Sequence, residues 1–207
     1  MDPIAETIKT YDQIAEEYCR ITEEEGDRKF QIQMIDNTLQ KINFHKKPRV
    51  IDIGCGDGRD TKYLKEKDID AVGIDLSQGM IDLGRKKYSE CALIQMDMRD
   101  TVFPDDTFHG AWASSSLTNL PKSELSSVEK EVYRILEPGG IFCFSFKVGD
   151  KEGFEESVLE GHERYQTYYT LDELKTELGL FQIIETKKYP GEIFGSEFIY
   201  TWARSRK

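Results

Sequence analysis

The residues best placed to do chemistry lie between Asp52 and Gly58, where the chain reads Asp-Ile-Gly-Cys-Gly-Asp-Gly. Glycines at 54, 56 and 58 let the backbone turn sharply and come close to a ligand. A helix starting just behind them would aim its unpaired N–H groups into the same space. A dinucleotide fingerprint needs its third glycine at the sixth position counted from the first glycine, and from Gly54 that position is Arg59, too bulky for close helix–strand packing. Asp52 stands where it would repel a diphosphate and attract an ammonium or sulfonium. The loop therefore suits a ligand with a cationic centre better than a dinucleotide.

Other reactive residue types are sparse. Asp75 and Asp97 each follow an apolar run, as ligand acceptors or as solvated acids; a carboxylate offers two acceptor oxygens, which suits a pair of hydroxyls. Tyr11 and Tyr18 share one helical stripe, and both would face a crevice that their helix capped. Their rings would present negative faces to a cation and their hydroxyls would reach a carboxylate, core packing being the other reading for Tyr18. His162 follows the fifth apolar run and is a candidate base, whereas His109 lies within a run and reads as structural. Cys19, Cys55, Cys91 and Cys143 form no CxxC pair, so neither a disulfide framework nor a metal site is expected.

The elements that must position these residues follow from periodicity. Ile4, Ile8, Tyr11, Ile14, Ala15, Tyr18 and Ile21 recur at helical spacing up to Glu23-Glu24-Glu25-Gly26. Phe30, Met34, Ile35, Leu39 and Ile42 make a second stripe that ends at His45-Lys46-Lys47-Pro48. From there short apolar runs alternate with helical stretches: strands at 50–53, 71–74, 92–96, 108–113 and 141–146, helices through Tyr63, from Ser77 to Tyr88 and from Lys122 to Leu136. That alternation implies parallel βαβ units in an open sheet covered on both faces. After a helix starting at Thr170, Phe181–Lys188 and Glu197–Trp202 read as strands joined only by a loop, hence antiparallel. The expected class is α/β, mostly parallel with one antiparallel strand near the edge. Residues 1–207 are expected to form a single domain, with 1–47 as an N-terminal helical cap on a core spanning 48–207.

Composition excludes several function classes. The chain has 207 residues and a net charge of −11, which disfavours a phosphate backbone as main partner. No apolar run approaches the roughly 18 residues of a membrane span, and the first residues lack the basic flank and apolar stretch of a signal peptide. A cytoplasmic location is expected.

Asp52-x-Gly54-x-Gly56-x-Gly58, with Asp75 ending the next strand, resembles the class I S-adenosylmethionine-dependent methyltransferases. Further matches occur in order: Tyr11-Asp12-x-Ile14-Ala15-x-x-Tyr18, Gln95-Met96-Asp97-Met98 and Leu136-Glu137-Pro138-Gly139-Gly140. The resemblance implies a Rossmann-like open sheet of seven strands and S-adenosyl-L-methionine as cofactor. It implies that Gly54, Cys55, Gly56 and Gly58 line the methionine part, that Asp52 helps place its amino group, and that Asp75 accepts from both ribose hydroxyls. It further implies that Leu76 and Met98 sandwich the adenine with Met80 in the same set, that Asp97 accepts from the exocyclic amine, and that Ser114 lies beneath the sulfonium. Tyr11 is expected at the cofactor and, with His162, is a candidate for a catalytic role. Lys147 and the cluster Tyr165-Gln166-Thr167-Tyr168-Tyr169 fall where relatives build the substrate pocket.

The acceptor is argued by exclusion. Ser114-Ser115-Ser116-Leu117 stands where amide- and base-methylating relatives carry an (Asp/Asn)-Pro-Pro-aromatic motif, and no Pro-Cys pair occurs. Asn119 replaces a histidine of many small-molecule relatives. A small-molecule acceptor at oxygen, nitrogen or sulfur is the leading expectation. A protein or peptide side chain, or a non-catalytic cofactor-binding module, are the alternatives.

Overall fold

The computed structural model describes residues 2–25, 27–42, 47–193 and 196–207. Gly26, His45 and Lys46, expected to close the first two helices, lie outside the described residues. Strand β1 (Arg49–Ile53) is buried after its first residue, as the interior of a parallel sheet requires. It pairs in parallel with β2 (Asp70–Asp75) on one side and with β4 (Phe108–Ala113) on the other. Beyond these lie β3 (Ala92–Gln95) against β2 and β5 (Leu136–Val148) against β4, both parallel. Helices α3 (Arg59–Glu66), α4 (Gln78–Lys87) and α5 (Leu125–Ile135) make the crossovers. The order β3-β2-β1-β4-β5 changes direction between β1 and β4, which opens a crevice at their carboxyl ends.

The expected antiparallel pair is present. β9 (Ser196–Ser205) runs antiparallel to both β5 and β8 (Phe181–Ile193). β8 extends past Lys188 through a register shift, where a loop was expected. The described residues form a nine-stranded sheet rather than the seven strands expected. The additional hairpin is β6 (Glu152–Glu156) with β7 (Glu163–Tyr169), and β7 joins the tip of β5 through Lys147↔Tyr168 and Val148↔Tyr169. Its sequence hides it, because β6 is acidic and exposed at alternate positions and β7 points polar side chains inward.

Side-chain alternation along the central strands builds the two cores. Phe142, Phe144 and Phe146 of β5 pack with Val128, Val132 and Ile135 of α5 and with Leu174 of α6 (Leu171–Glu177). Ile141 and Cys143 point the other way, into a cluster with Trp112, Trp202 and the Met34–Ile35 face of α2 (Arg28–Lys41). Helix α1 (Pro3–Glu25) bridges two ends of the crevice. Asp12 Oδ1 accepts from Ser77 Oγ (2.6 Å) and Gly79 N (2.9 Å) at the start of α4. A turn earlier, Thr7 Oγ1 accepts from Tyr165 N of β7 (2.9 Å) and Thr10 Oγ1 donates to Glu163 O (2.6 Å). Ser77 caps α4 as expected, accepting from Met80 N.

Candidate functional site

The glycine loop leaves β1 and folds under the segment that follows β4. A Cβ on Gly54 would lie 2.2 Å from Ser116 Cβ, so that position admits no side chain. Gly56, at φ +56°, has open space where its Cβ would be, and the backbone there is exposed to the cleft. Asp75 finishes β2 and faces the loop: its Oδ2 accepts from Gly56 N and its Oδ1 from Ser77 N, each at 2.9 Å. Each oxygen thus spends one acceptor position on backbone and keeps another for a ligand. Burial pushes the Asp75 carboxyl above its ordinary range.

This half of the cleft is rich in buried carboxyl groups. Asp52 is buried and accepts from Thr61 Oγ1 at 2.6 Å. Burial first, then the neighbouring Asp60 charge, push its pKa up to about 8. Asp60 is held by the Arg28 guanidinium, by Gln31 Nε2 at 2.9 Å and by Trp112 Nε1 at 2.8 Å. A site of this kind favours a cation, which would relieve the carboxyl crowding.

Across the cleft the chemistry inverts. Arg164 of β7 is 8% exposed and reaches toward α1. Its Nη1 donates to Tyr11 Oη at 2.6 Å and Tyr18 Oη at 3.3 Å, and its guanidinium lies over both rings at 5.8 and 5.5 Å. Burial raises the Tyr11 pKa, so the phenol stays neutral and leaves the arginine charge uncancelled. Asn119 Oδ1 accepts from Tyr11 Oη (3.3 Å) and from Gln166 Nε2 (2.7 Å). Lys147, at the tip of β5, is 7% exposed, and burial with the nearby Arg164 charge lowers its pKa to about 8.

Most of the residues expected from sequence meet in this one cleft, which encloses about 1630 Å³ including its open mouth. Tyr11, Asp52, Gly54, Cys55, Gly56 and Asp75 line it. Leu76, Met80, Met98 and Ser114 line it as well, with Ser114 Oγ 3.0 Å from Tyr200 Oη. Gly58, Asp97 and His162 are not among the lining residues. Gly58 is the cap residue just before α3, and a Cβ there would come within 2.7 Å of Leu93; its place is helix–strand packing. Asp97 is gripped by Arg99, whose Nη2 lies 2.6 Å from Oδ2 and Nε 3.0 Å from Oδ1. Burial raises the Asp97 carboxyl, but those hydrogen bonds outweigh it and leave the pKa below the ordinary value. His162 sits in the β6–β7 turn, its carbonyl accepting from Ser157 N. His109 Nδ1 accepts from Arg49 N at 3.0 Å, the structural role expected of it.

Sequence reasoning missed Arg164, Asp60 and the anchoring role of Asp12. Arg164 and Gln166 alternate inward on β7 with Tyr168, a period-two signal that becomes visible only once the segment is recognised as a strand.

An open α/β sheet whose order reverses at β1/β4, with a glycine loop and a strand-end carboxylate at the reversal, defines a nucleoside-cofactor enzyme fold. Comparison with known proteins sharpens that class. A family model described as a methyltransferase domain matches residues 50–140. The chain is 30% identical over 152 residues to a demethylmenaquinone methyltransferase of Symbiobacterium thermophilum, covering 64% of this chain and 55% of that protein. It is 26% identical over 158 residues to the sterol 4-C-methyltransferase strm-1 of Caenorhabditis elegans, covering 70% and 46%. The matched part thus spans about half the length of these curated relatives. A solved S-adenosylmethionine-dependent methyltransferase from Clostridium acetobutylicum superposes with a TM-score of 0.74 at 17% identity, covering 95% of this chain and 99% of that one. Residues 50–140 thus match a methyltransferase domain, on a fold shared with solved S-adenosylmethionine-dependent methyltransferases, and S-adenosylmethionine is the cofactor these likenesses support. The residues present fit that group: a cradle open above Gly56, acceptor capacity on Asp75 and a carboxyl-rich wall suited to a cation.

Proposed function

We propose that the chain transfers a methyl group from S-adenosylmethionine to a small-molecule acceptor. The observation that carries this reading is Asp75, half-buried at the end of β2 with one backbone N–H on each oxygen, beside the open space over Gly56. When bound, the cofactor supplies an electrophilic methyl on a sulfonium: the bond from acceptor atom to methyl forms as the sulfur–methyl bond breaks, and the electron pair goes to sulfur. In this reading Asp75 accepts from the ribose hydroxyls and Asp52 favours the cationic amino-acid end. Leu76, Met80 and Met98 give the adenine apolar walls. Holding acceptor and methyl in line, away from water, supplies on the order of 7–11 kcal/mol without a proton-transfer group. Tyr11, kept neutral by burial, donates a hydrogen bond and positions; it does not act as a base.

Enclosure favours a small acceptor over a peptide side chain, because α1 and β7 are tied together over the cleft by Thr7, Thr10 and the Tyr11–Arg164–Tyr18 clasp. The names of the quinone and sterol methyltransferase relatives point the same way. Residues 1–207 as one domain with 1–47 as its cap, and a cytoplasmic location, belong to the same proposal. The four cysteines are free and buried, in keeping with that location, and no helix among the described residues is long and apolar enough to cross a membrane. Calorimetric titration with S-adenosylmethionine, S-adenosylhomocysteine and NADH tests the reading. Binding of the two adenosyl ligands and not of NADH is expected, followed by methyl transfer to members of a panel of small oxygen, nitrogen and sulfur acceptors. Binding of NADH with silence from the adenosyl ligands overturns it, and tight adenosyl binding with no turnover on any acceptor replaces it with a regulatory module.

A further inference from the structure

We infer that Arg164 and Lys147 form a receptor for a carboxylate group on the acceptor, so that the substrate is a small organic acid. The inference rests on the methyltransferase reading of the cleft and adds to it the chemical class of acceptor. Both cations are at least nine-tenths buried, and both line the cleft on the side of β5 and β7, across β4 from Asp75. Among the described residues Arg164 has no acidic partner within salt-bridge distance, and Lys147 has only Glu155, at 3.9 Å. A buried, uncompensated charge is costly, and a site that keeps two of them is built to be neutralised by a ligand.

The unused hydrogen-bonding capacity points the same way. Arg164 commits Nη1 to the two tyrosines. Its Nε is buried with no partner, and Nη2 makes no hydrogen bond among the described residues. Nε and Nη2 form one edge of the planar fork, the geometry that grips a carboxylate with two parallel hydrogen bonds. The tyrosine rings fix the guanidinium plane from the other side. Among the described residues the polar partners of Lys147 Nζ are the Tyr168 hydroxyl, at 3.5 Å, and Glu155, so it retains donors. Gln166 and Asn119, bonded to one another at 2.7 Å, floor the same end with neutral amides.

A carboxylate could reach this receptor from the acceptor or from the amino-acid end of the cofactor; the position across β4 from the Asp52–Asp75 wall assigns it to the acceptor. The test loads the whole chain with S-adenosylhomocysteine and titrates matched probes by ligand-observed NMR: benzoate against benzamide, and 3-phenylpropionate against its amide. Carboxylates are expected to bind at least about tenfold more tightly than amides, the scale of a charge-assisted hydrogen bond. Lys147→Met and, separately, Arg164→Gln should bring that ratio close to one; because the ratio is taken within one protein, partial loss of folded chain does not alter it. Equal binding of acid and amide by the unaltered chain, no binding of either, or a ratio that survives both substitutions overturns the inference. So does a tenfold fall, in Arg164→Gln, of the affinity for S-adenosylhomocysteine relative to 5′-methylthioadenosine, because the clamp would then hold the cofactor's carboxylate. Failure of the unaltered chain to bind S-adenosylhomocysteine would instead strike the methyltransferase reading.

Discussion

The two walls of the cleft carry opposite chemistry. On the β1–β2 wall, the buried Asp52 and Asp60 stand beside the half-buried Asp75, and Asp52 and Asp75 hold their protons above the ordinary carboxyl range. On the β5–β7 wall, Arg164 and Lys147 are buried cations, and Lys147 gives up its proton well below the ordinary lysine range. Each wall carries an electrostatic cost in the empty protein that a ligand of opposite sign relieves. The difference teaches that the cleft is built for two partners of different charge held side by side: a cationic cofactor end at the acidic wall and an anionic acceptor at the basic wall.

The largest expected effects come from closing the loop that separates the walls. Gly54→Ala puts a Cβ 2.2 Å from Ser116 Cβ at a φ of +68°. Overpacking and the left-handed backbone together should cost about 2–4 kcal/mol in denaturant unfolding. Gly56→Ala meets nothing within 4 Å; it should cost only about 1 kcal/mol of strain in stability yet weaken S-adenosylhomocysteine binding, since the methyl occupies ligand space. If the two alanines lowered stability alike, the packing distinction between those glycines would be wrong. Next in size is Asp75→Ala, expected to weaken cofactor binding by about 1.5–3 kcal/mol, the range for a hydrogen bond to a charged group. Unchanged affinity in a folded variant would remove Asp75 from the acidic wall's function.

The walls should also titrate in opposite senses. The pKa of Asp52 is raised to about 8, above its unfolded value near 4, so the native state binds more protons in that window and stability falls as pH rises from about 4 to 8. For Lys147 the native value of about 8 lies below the unfolded value near 10.5. The unfolded chain then binds more protons, and stability rises from about pH 8 to 10.5. The groups facing Asp52 are Thr61, Asp60 and Asp75, and those facing Lys147 are Arg164, Glu155, Lys151 and Tyr168. Asp52→Asn should flatten the first limb and Lys147→Met the second. Chemical unfolding of the ligand-free protein at a series of pH values reads both. Limbs unchanged by these substitutions would mean the burial argument fails for that wall.

Asp60 apart, the acidic wall was legible in the sequence, whereas of the two cations of the basic wall only Lys147 was. Asp52, the glycines and Asp75 sit at the ends of apolar strands, where the alternation of strand and helix already locates the crevice. Their roles follow from local backbone geometry. Lys147 could be placed because it follows the apolar run of β5. Arg164, however, belongs to a strand whose inward residues are Arg164, Gln166 and Tyr168, and no hydrophobic period announces a strand that buries polar side chains. His162 was weighed instead, being the more reactive type, and the hairpin carries it into a turn. The first turn after Pro121 is likewise a 3-10 turn at Lys122–Glu124, where regular helix was expected.

Helix α1 joins the two walls, and the smallest predicted effect tests that junction. Asp12 anchors α1 to the acidic side through Ser77 Oγ and Gly79 N, and Thr7 and Thr10 anchor it to β7 on the basic side. The start of α4 does not depend on Asp12 for its own cap, because Ser77 Oγ accepts from Met80 N. Asp12→Ala should therefore leave α4 in place and loosen α1, costing about 0.5–1.5 kcal/mol in global stability, the net scale of a hydrogen bond at a partly exposed site. Hydrogen exchange gives the sharper reading: amides of α1 should lose protection by more than those of α4, since a locally detached helix opens without unfolding the sheet. Equal loss along both helices would show that Asp12 supports α4 itself, and that α1 is held across the cleft from the β7 side alone.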